Sequence, residues 1–190
     1  MAYKLASASI LIVDDMPPML SLAKTMLSTF GFRSIYTAKD GDEAYESFKR
    51  NDPDIVITDW VMEPTDGLEL IKMIREDPMS PNPYVPIIVM TGYSAKPRVE
   101  SARDKGTTEF LVKPFAAKDL YNRIVQVIEK PRQFVQAKEF FGPDRRRRMD
   151  GEFSGPLKRE SDRAGSNQRK PQNRLAADIL KQLTESAKSS

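Results

Sequence analysis

The sequence predicts an α/β fold: a doubly wound sheet of five parallel strands, covered by helices on both faces, with a basic C-terminal tail. Three observations carry this reading. Short, nearly continuous apolar runs such as Ile10-Leu11-Ile12-Val13 and Ile55-Val56-Ile57 suit strands buried on both faces. Stretches with apolar residues at helical spacing alternate with them, the pattern of βαβ units and right-handed crossovers. The charge balance then changes sign along the chain. Residues 1–130 hold 16 Lys+Arg and 19 Asp+Glu, net −3, whereas residues 131–190 hold 14 and 8, net +6. An acidic body followed by a basic tail implies two jobs.

The elements follow in order. Residues 9–13 are a strand ending at Asp14-Asp15. Residues 16–30 are a helix with Met19, Leu22, Ala23, Met26 and Leu27 inward, opened by Pro17-Pro18 and stopped by Gly31. Residues 34–38 form a strand and 40–50 a helix with Ala44, Tyr45 and Phe48 inward. The run 54–59 is the central strand, ending in Asp59. Residues 62–67 turn, and 68–76 form a helix with Leu70, Ile71 and Ile74 toward the core. A Pro- and Asn-rich loop leads to a strand over 85–90, ending at Thr91-Gly92. Residues 97–105 are a short helix stopped by Gly106, 108–112 a strand followed by Lys113-Pro114, and 117–129 a helix with Leu120, Ile124, Val125 and Ile128 inward. These elements place a domain over residues 1–130.

Composition narrows the chemistry. Among 190 residues there is no cysteine and no histidine. A disulfide framework, a thiolate nucleophile, a histidine base and a Cys- or His-built metal site are excluded. Any metal must be held by oxygen, which points to Mg²⁺, Mn²⁺ or Ca²⁺. No apolar run approaches the roughly 20 residues that span a bilayer, and the first residues carry no signal-peptide pattern. A cytoplasmic protein without membrane insertion is expected.

In a parallel sheet the strand ends meet at one edge, where ligands of open α/β sheets bind. That edge receives Asp14, Asp15, Asp59, Thr91 and Lys113. Taken singly, Asp14 suits a helix N-terminal acid and Thr91 a turn. Taken together, three carboxylates repel one another and call for a hard divalent cation, with Mg²⁺ the natural fit. A lysine and a hydroxyl beside it can hold an anion. This set supplies what phosphoryl transfer needs, positioning and charge stabilisation, and a carboxylate can itself be the nucleophile.

Residues 8–130 resemble the receiver domain of two-component response regulators, the CheY-like, flavodoxin-like fold. The resemblance rests on Val13-Asp14-Asp15, Asp59-Trp60-Val61-Met62 with Asp66-Gly67, Thr91-Gly92, and Phe110-Leu111-Val112-Lys113-Pro114-Phe115. It implies that Asp59 accepts a phosphoryl group from a sensor histidine kinase or a phosphotransfer protein. It implies Mg²⁺ at Asp14, Asp15 and Asp59 with the backbone carbonyl of Val61. Thr91 and Lys113 are then the hydroxyl and the amine that meet the phosphoryl group, and Phe110 takes the place of the switch aromatic. One departure is Glu63, which stands between Met62 and Pro64 where the family often places proline directly after the methionine. No self-contained enzyme is expected beyond autophosphorylation from a donor and slow hydrolysis of the acyl phosphate.

After Lys130-Pro131 the composition turns to Pro, Gly, Ser and charge, and residues 131–173 read as an arginine-rich, largely disordered segment. Phe134, Val135, Phe140 and Phe141 are the exception and suit packing on the body or on a ligand. Arg145, Arg146, Arg147 and Arg148 follow, with Arg-x-x-Asp spacings at Arg147 to Asp150 and Arg159 to Asp162. Phe-x-Gly-Pro-x-[Arg/Lys]-Arg occurs twice, thirteen residues apart. Residues 174–187 carry a narrow apolar stripe, Leu175, Ile179, Leu180 and Leu183, of a short amphipathic helix. There is no helix-turn-helix pattern or zinc site. Guanidinium groups bind phosphate bidentately, stack on purines and read the guanine O6/N7 edge. A receiver followed by such a tail resembles the CheY-like cyclic di-GMP effectors that act on the flagellar motor. That resemblance implies cyclic di-GMP at Arg145–Arg148, Asp150, Arg159 and Asp162, and a motility partner. The competing readings are a phosphorylation-switched nucleic-acid binder, because arginine clusters bind phosphates without sequence choice, and a simple phosphoryl shuttle with an inert linker.

Overall fold

The structure is a computed structural model that describes residues 5–92, 106–137 and 140–143. Five strands, β1 (Ser9–Val13), β2 (Ser34–Ala38), β3 (Ile55–Asp59), β4 (Ile87–Gly92) and β5 (Glu109–Lys113), form one sheet in the order β2-β1-β3-β4-β5. Every pair is parallel. β3 is the central strand and β1 its parallel neighbour, so their carboxyl ends are adjacent. The predicted α/β class, strand number and parallel sense all hold.

Alternate residues of each strand enter opposite cores, the period-2 consequence of the pleat. Ile10, Ile12, Ile55, Ile57, Ile88, Met90 and Leu111 pack on one face against helices α1 (Pro17–Thr29) and α4 (Ala117–Glu129). Leu11, Val13, Val56, Ile87 and Val89 pack on the other against α2 (Gly41–Asn51) and α3 (Gly67–Glu76). Both faces are covered, which is why these strands read as unbroken apolar runs.

Helix starts are set by local chemistry. The Asp40 carboxylate accepts from the Glu43 amide to cap α2. At α3, Asp66 and Glu69 form a reciprocal capping box. The inward faces need two corrections. Leu22 of α1, expected inside, is 49% exposed. Ala23 and Leu27 are the buried pair, with Leu20 and Met26 packed alongside. At about 100° per residue, Leu22 lies about 100° around the helix from Ala23, just beyond the edge of that stripe. In α4 the buried set is Leu120, Ile124, Val127 and Ile128, and Val125 is half-buried.

The folded body also runs past residue 130. β6 (Phe134–Ala137) and β7 (Phe140–Pro143) pair antiparallel as a separate hairpin. Phe134 and Phe141 stack edge-on against Tyr84, with ring centroids at 5.2 and 5.3 Å, and lie 5.6 Å from each other. Just before the hairpin, Arg132 donates to Glu109 Oε1 at 2.6 Å, and Glu109 is 3% exposed. The boundary drawn at 130 therefore moves to at least Pro143. Phe134 and Phe141, the apolar exceptions in this segment, pack on the body through Tyr84, and Arg132 pairs with Glu109 at the start of β5. The helices expected at 97–105 and 174–187 lie outside the described residues. Among the described residues, no helix is long and apolar enough to cross a membrane.

Candidate functional site

β1 and β3 end side by side, with Val13 in register with Thr58. The residues that follow therefore converge. Oxygens of Asp14, Asp15 and Asp59 lie within 4.8 Å of one another. Asp14 is fully buried, Asp15 exposed and Asp59 half-buried. Lys113, from the end of β5, reaches across and places its Nζ 2.8 Å from Asp14 Oδ2 and 3.0 Å from Asp59 Oδ2. Two of the three carboxylates thus share one ammonium, and the cluster keeps a negative excess. Hard oxygens at this spacing fit a divalent cation of the Mg²⁺ type.

Two of the three carboxylates are held by the backbone. Asp14 Oδ1 accepts from the Met16 amide at 2.9 Å. Asp59 Oδ1 accepts from the Trp60 amide at 2.8 Å, and the buried Thr58 hydroxyl donates to the Asp59 carbonyl at 2.9 Å. Gly67 is packed so closely behind β3 that a Cβ there would strike the Asp59 carbonyl. A glycine at the first position of α3 is what lets the helix start against the acid-bearing strand end.

The electrostatics follow from this packing. Burial pushes the Asp59 carboxyl above the usual carboxylate range; the Lys113 ammonium and the Trp60 amide oppose that rise, and Asp14 adds to it. For Lys113, burial pulls the ammonium down, but the Asp14 and Asp59 carboxylates outweigh it and the net direction is up. Lysine and aspartate are therefore coupled, and an anion-bearing group on Asp59 would draw the same ammonium.

The remaining predicted residues ring this cluster. Met90 is the register partner of Asp59, so Thr91 stands one residue beyond it on the neighbouring strand. Thr91 is buried, and its hydroxyl reaches the Gly92 carbonyl only at 3.4 Å, a long and weak bond. Val61 is 63% exposed, so its side chain faces out and its backbone faces the turn. Phe110 is in register with Val89, half-buried against the α2–α3 side of the core. Glu63 precedes Pro64 through a cis peptide, as Lys113 precedes Pro114. The tail residues Arg145, Arg146, Arg147, Arg148, Asp150, Arg159 and Asp162 lie outside the described residues.

Sequence reading missed three structural contributors: the Met16 and Trp60 amides, and the contact of Gly67 with the Asp59 backbone. The Asp66-Gly67 pair was visible as a turn, but only packing shows what the glycine touches.

The response regulator receiver domain family matches residues 10–125 of the chain, well over half its length. The chain belongs to that family. Chemotaxis protein CheY-3 of Vibrio cholerae is 33% identical over 121 residues, covering 64% of this chain and 92% of its own. Chemotaxis protein CheY1 of Helicobacter pylori is 35% identical over 120 residues, covering 63% and 95%. Among solved structures, the chemotaxis protein CheY4 of Vibrio cholerae superposes with a TM-score of 0.58 at 28% identity, covering 63% of this chain and 98% of its own. The family match ends before the hairpin and the basic tail.

Proposed function

We propose that this receiver is a phosphorylation-driven signalling adaptor whose tail takes a second input. The observation that carries the reading is the shared ammonium of Lys113 between Asp14 and Asp59 at the strand ends. Asp59 Oδ attacks the phosphorus of a phosphohistidine on a sensor kinase or phosphotransfer protein. The P–N bond breaks, an acyl phosphate forms on Asp59, and the imidazole leaves and takes up a proton. Asp14, Asp15, Asp59 and the Val61 carbonyl would hold Mg²⁺, which would offset charge on the transferring group. Lys113 keeps Asp14 and exchanges Asp59 Oδ2 for a phosphoryl oxygen. The weakly bonded Thr91 hydroxyl turns to another phosphoryl oxygen, and Phe110, on the adjacent strand, moves inward into the space this vacates.

The second input is cyclic di-GMP, bound by Arg145, Arg146, Arg147, Arg148 and Arg159 with Asp150 and Asp162. Four consecutive guanidinium groups supply bidentate phosphate contacts and purine stacking, and the acids can accept guanine N–H groups. The output is a protein contact in the motility machinery, in keeping with the chemotaxis names of the relatives.

NMR titration tests both inputs separately. Mg²⁺ with beryllofluoride is expected to shift Asp14, Asp59, Thr91 and Lys113, and Asp59→Asn to abolish the response; an unchanged response in that variant overturns the phosphoacceptor assignment. Cyclic di-GMP is expected to shift the tail and to lose affinity when residues 145–148 become alanine. Binding that persists in that variant, or that is matched by unrelated oligonucleotides and collapses with salt, replaces the dinucleotide with nucleic acid.

A further inference from the structure

The described chain ends in a telling place. Pro143 is in register with Phe134, and the Arg75 guanidinium lies 5.1 Å from the Phe134 ring centre. Arg75 belongs to the last turn of α3, and β7 contacts that helix. The basic tail therefore leaves the body beside the carboxyl end of α3.

An open groove lies between α2 and α3, and its Glu76–Asp77 end is one to two residues along the chain from Arg75. Glu76 and Asp77 stand at its lower end, Glu69 midway, and Asp42 with Thr65 at the top. Thr65 donates to Asp42 at 2.6 Å and is two residues from Gly67, which backs Asp59. Lys72 is the basic residue of the lining, so the groove carries a three-charge negative excess. Lys49 lies near Asp77 but is already bonded to Glu46 at 2.6 Å. Glu76 makes no ion pair among the described residues. Met73, half-buried, gives the groove an apolar floor.

We infer that residues 145–148 of the same chain dock in this groove, arginines on carboxylates. Reach supports it. An extended chain advances about 3.3 Å per residue, which puts the four arginines roughly 7–17 Å beyond Pro143. Glu69 and Glu76 are seven residues apart on α3, about 10 Å at a helical rise of 1.5 Å. Charge supports it as well: an extended segment turns alternate arginines toward a groove with a three-charge negative excess, and their stems can cover Met73. A tethered ligand needs little intrinsic affinity, because the short connection from Pro143 keeps its local concentration high. The docked tail runs from the hairpin toward the 65–67 loop behind Asp59. An anion that captures the arginines must first pull them off the receiver. The inference rests on the receiver surface and the chain path, and it stands whether or not the tail takes a dinucleotide.

The chain has no native cysteine, so Met149→Cys gives one nitroxide attachment point. In the full-length protein, amides of Lys72, Met73, Glu76 and Asp77 are expected to lose more than half their NMR intensity, while Lys24 and Ser28 on α1 keep theirs. The loss is expected to reverse in about 1 M NaCl, where the screening length falls to about 3 Å. It is also expected to reverse in Glu69→Gln/Glu76→Gln/Asp77→Asn, which keeps the hydrogen-bond acceptors of the cap and turn. Equal broadening on α1 and α3, or broadening that survives the triple substitution, overturns the docking. Broadening that appears when spin-labelled chains are mixed with isotope-labelled ones assigns the groove to a second copy and overturns it too.

Discussion

At the carboxyl ends of β1 and β3, Asp14 and Asp59 share the ammonium of Lys113, and Asp15 adds a third carboxylate beside them. At the opposite end of the sheet, charge is buried as deeply but is answered within the chain. Glu109, the first residue of β5, meets Arg132 at 2.6 Å and Arg123 at 3.7 Å. Arg75 donates to the Gly106 carbonyl from Nε and Nη2 at 3.2 and 3.0 Å, and to the Pro83 carbonyl at 2.7 Å. One end is left short of positive charge and the other is satisfied. A deficit invites a cation and a phosphoryl group; satisfied charges hold pieces of backbone in place. Buried charge alone does not mark a functional site, and the unmet part of its demand does.

The largest expected effect separates the two ends outright. Asp59→Asn is expected to eliminate phosphorylation by a small-molecule phosphodonor, read by intact-mass spectrometry, with hairpin amides unmoved. Shifts in Phe134 or Phe141 in that variant would show that the ends are coupled in the unphosphorylated state. Next, Arg75→Met strands the Gly106 and Pro83 carbonyls and removes the contact with Phe134. The expected loss is about 3 kcal/mol of unfolding free energy in urea, with Mg²⁺ affinity at Asp59 unchanged. A loss below about 0.5 kcal/mol, the level of ordinary surface substitutions, would show that the hairpin end tolerates unmet carbonyls.

The contrast also explains what the sequence disclosed. The strands were legible because Ile10, Ile12, Ile55 and Ile57 belong to unbroken apolar runs that suit a sheet buried on both faces. The acid end was legible because parallel strands put their terminal residues together whatever the details of packing. The hairpin end was legible only in part, because Phe134 and Phe141 read as suited to packing but their partner did not. Its anchor, Tyr84, lies about fifty residues upstream of Phe134, and nothing local connects them. Arg75 reads as an ordinary basic residue in the last turn of a helix, and only the fold shows that it is 5% exposed. Leu22 misled for a related reason, because an apolar residue just off the stripe satisfies helical spacing by eye while facing water.

A smaller effect sharpens the acid end. Gly67→Ala sets a methyl group against the Asp59 carbonyl, so either β3 or α3 must shift. Overpacking of this kind costs about 1–3 kcal/mol. Phosphorylation of Asp59 is expected to slow roughly tenfold, about 1.4 kcal/mol in the barrier, because the nucleophile moves relative to Lys113. A variant that loses stability but phosphorylates at the parent rate would show that the shift is taken up by α3 alone.

The smallest effect is the pH dependence, and it tests the sign of the charge deficit itself. Burial raises the folded-state pKa of Asp59 above its ordinary value of 3.8. Between the two values the unfolded chain has released this proton and the folded chain has kept it. Stability from this group is thus greatest below 3.8 and declines as pH rises to the folded value, after which it is level. Lys113 acts at the other extreme: its raised pKa contributes stability that is full below its ordinary 10.5 and is lost as pH climbs through the folded value. Urea unfolding of the parent and of Asp59→Asn across acidic pH isolates the first step, because the amide removes it. The parent is expected to lose stability relative to the variant as pH rises through that window. A parent that instead gains relative to the variant would mean that the Lys113 ammonium outweighs burial at Asp59, leaving the acid end as well satisfied as the hairpin end and erasing the distinction between them.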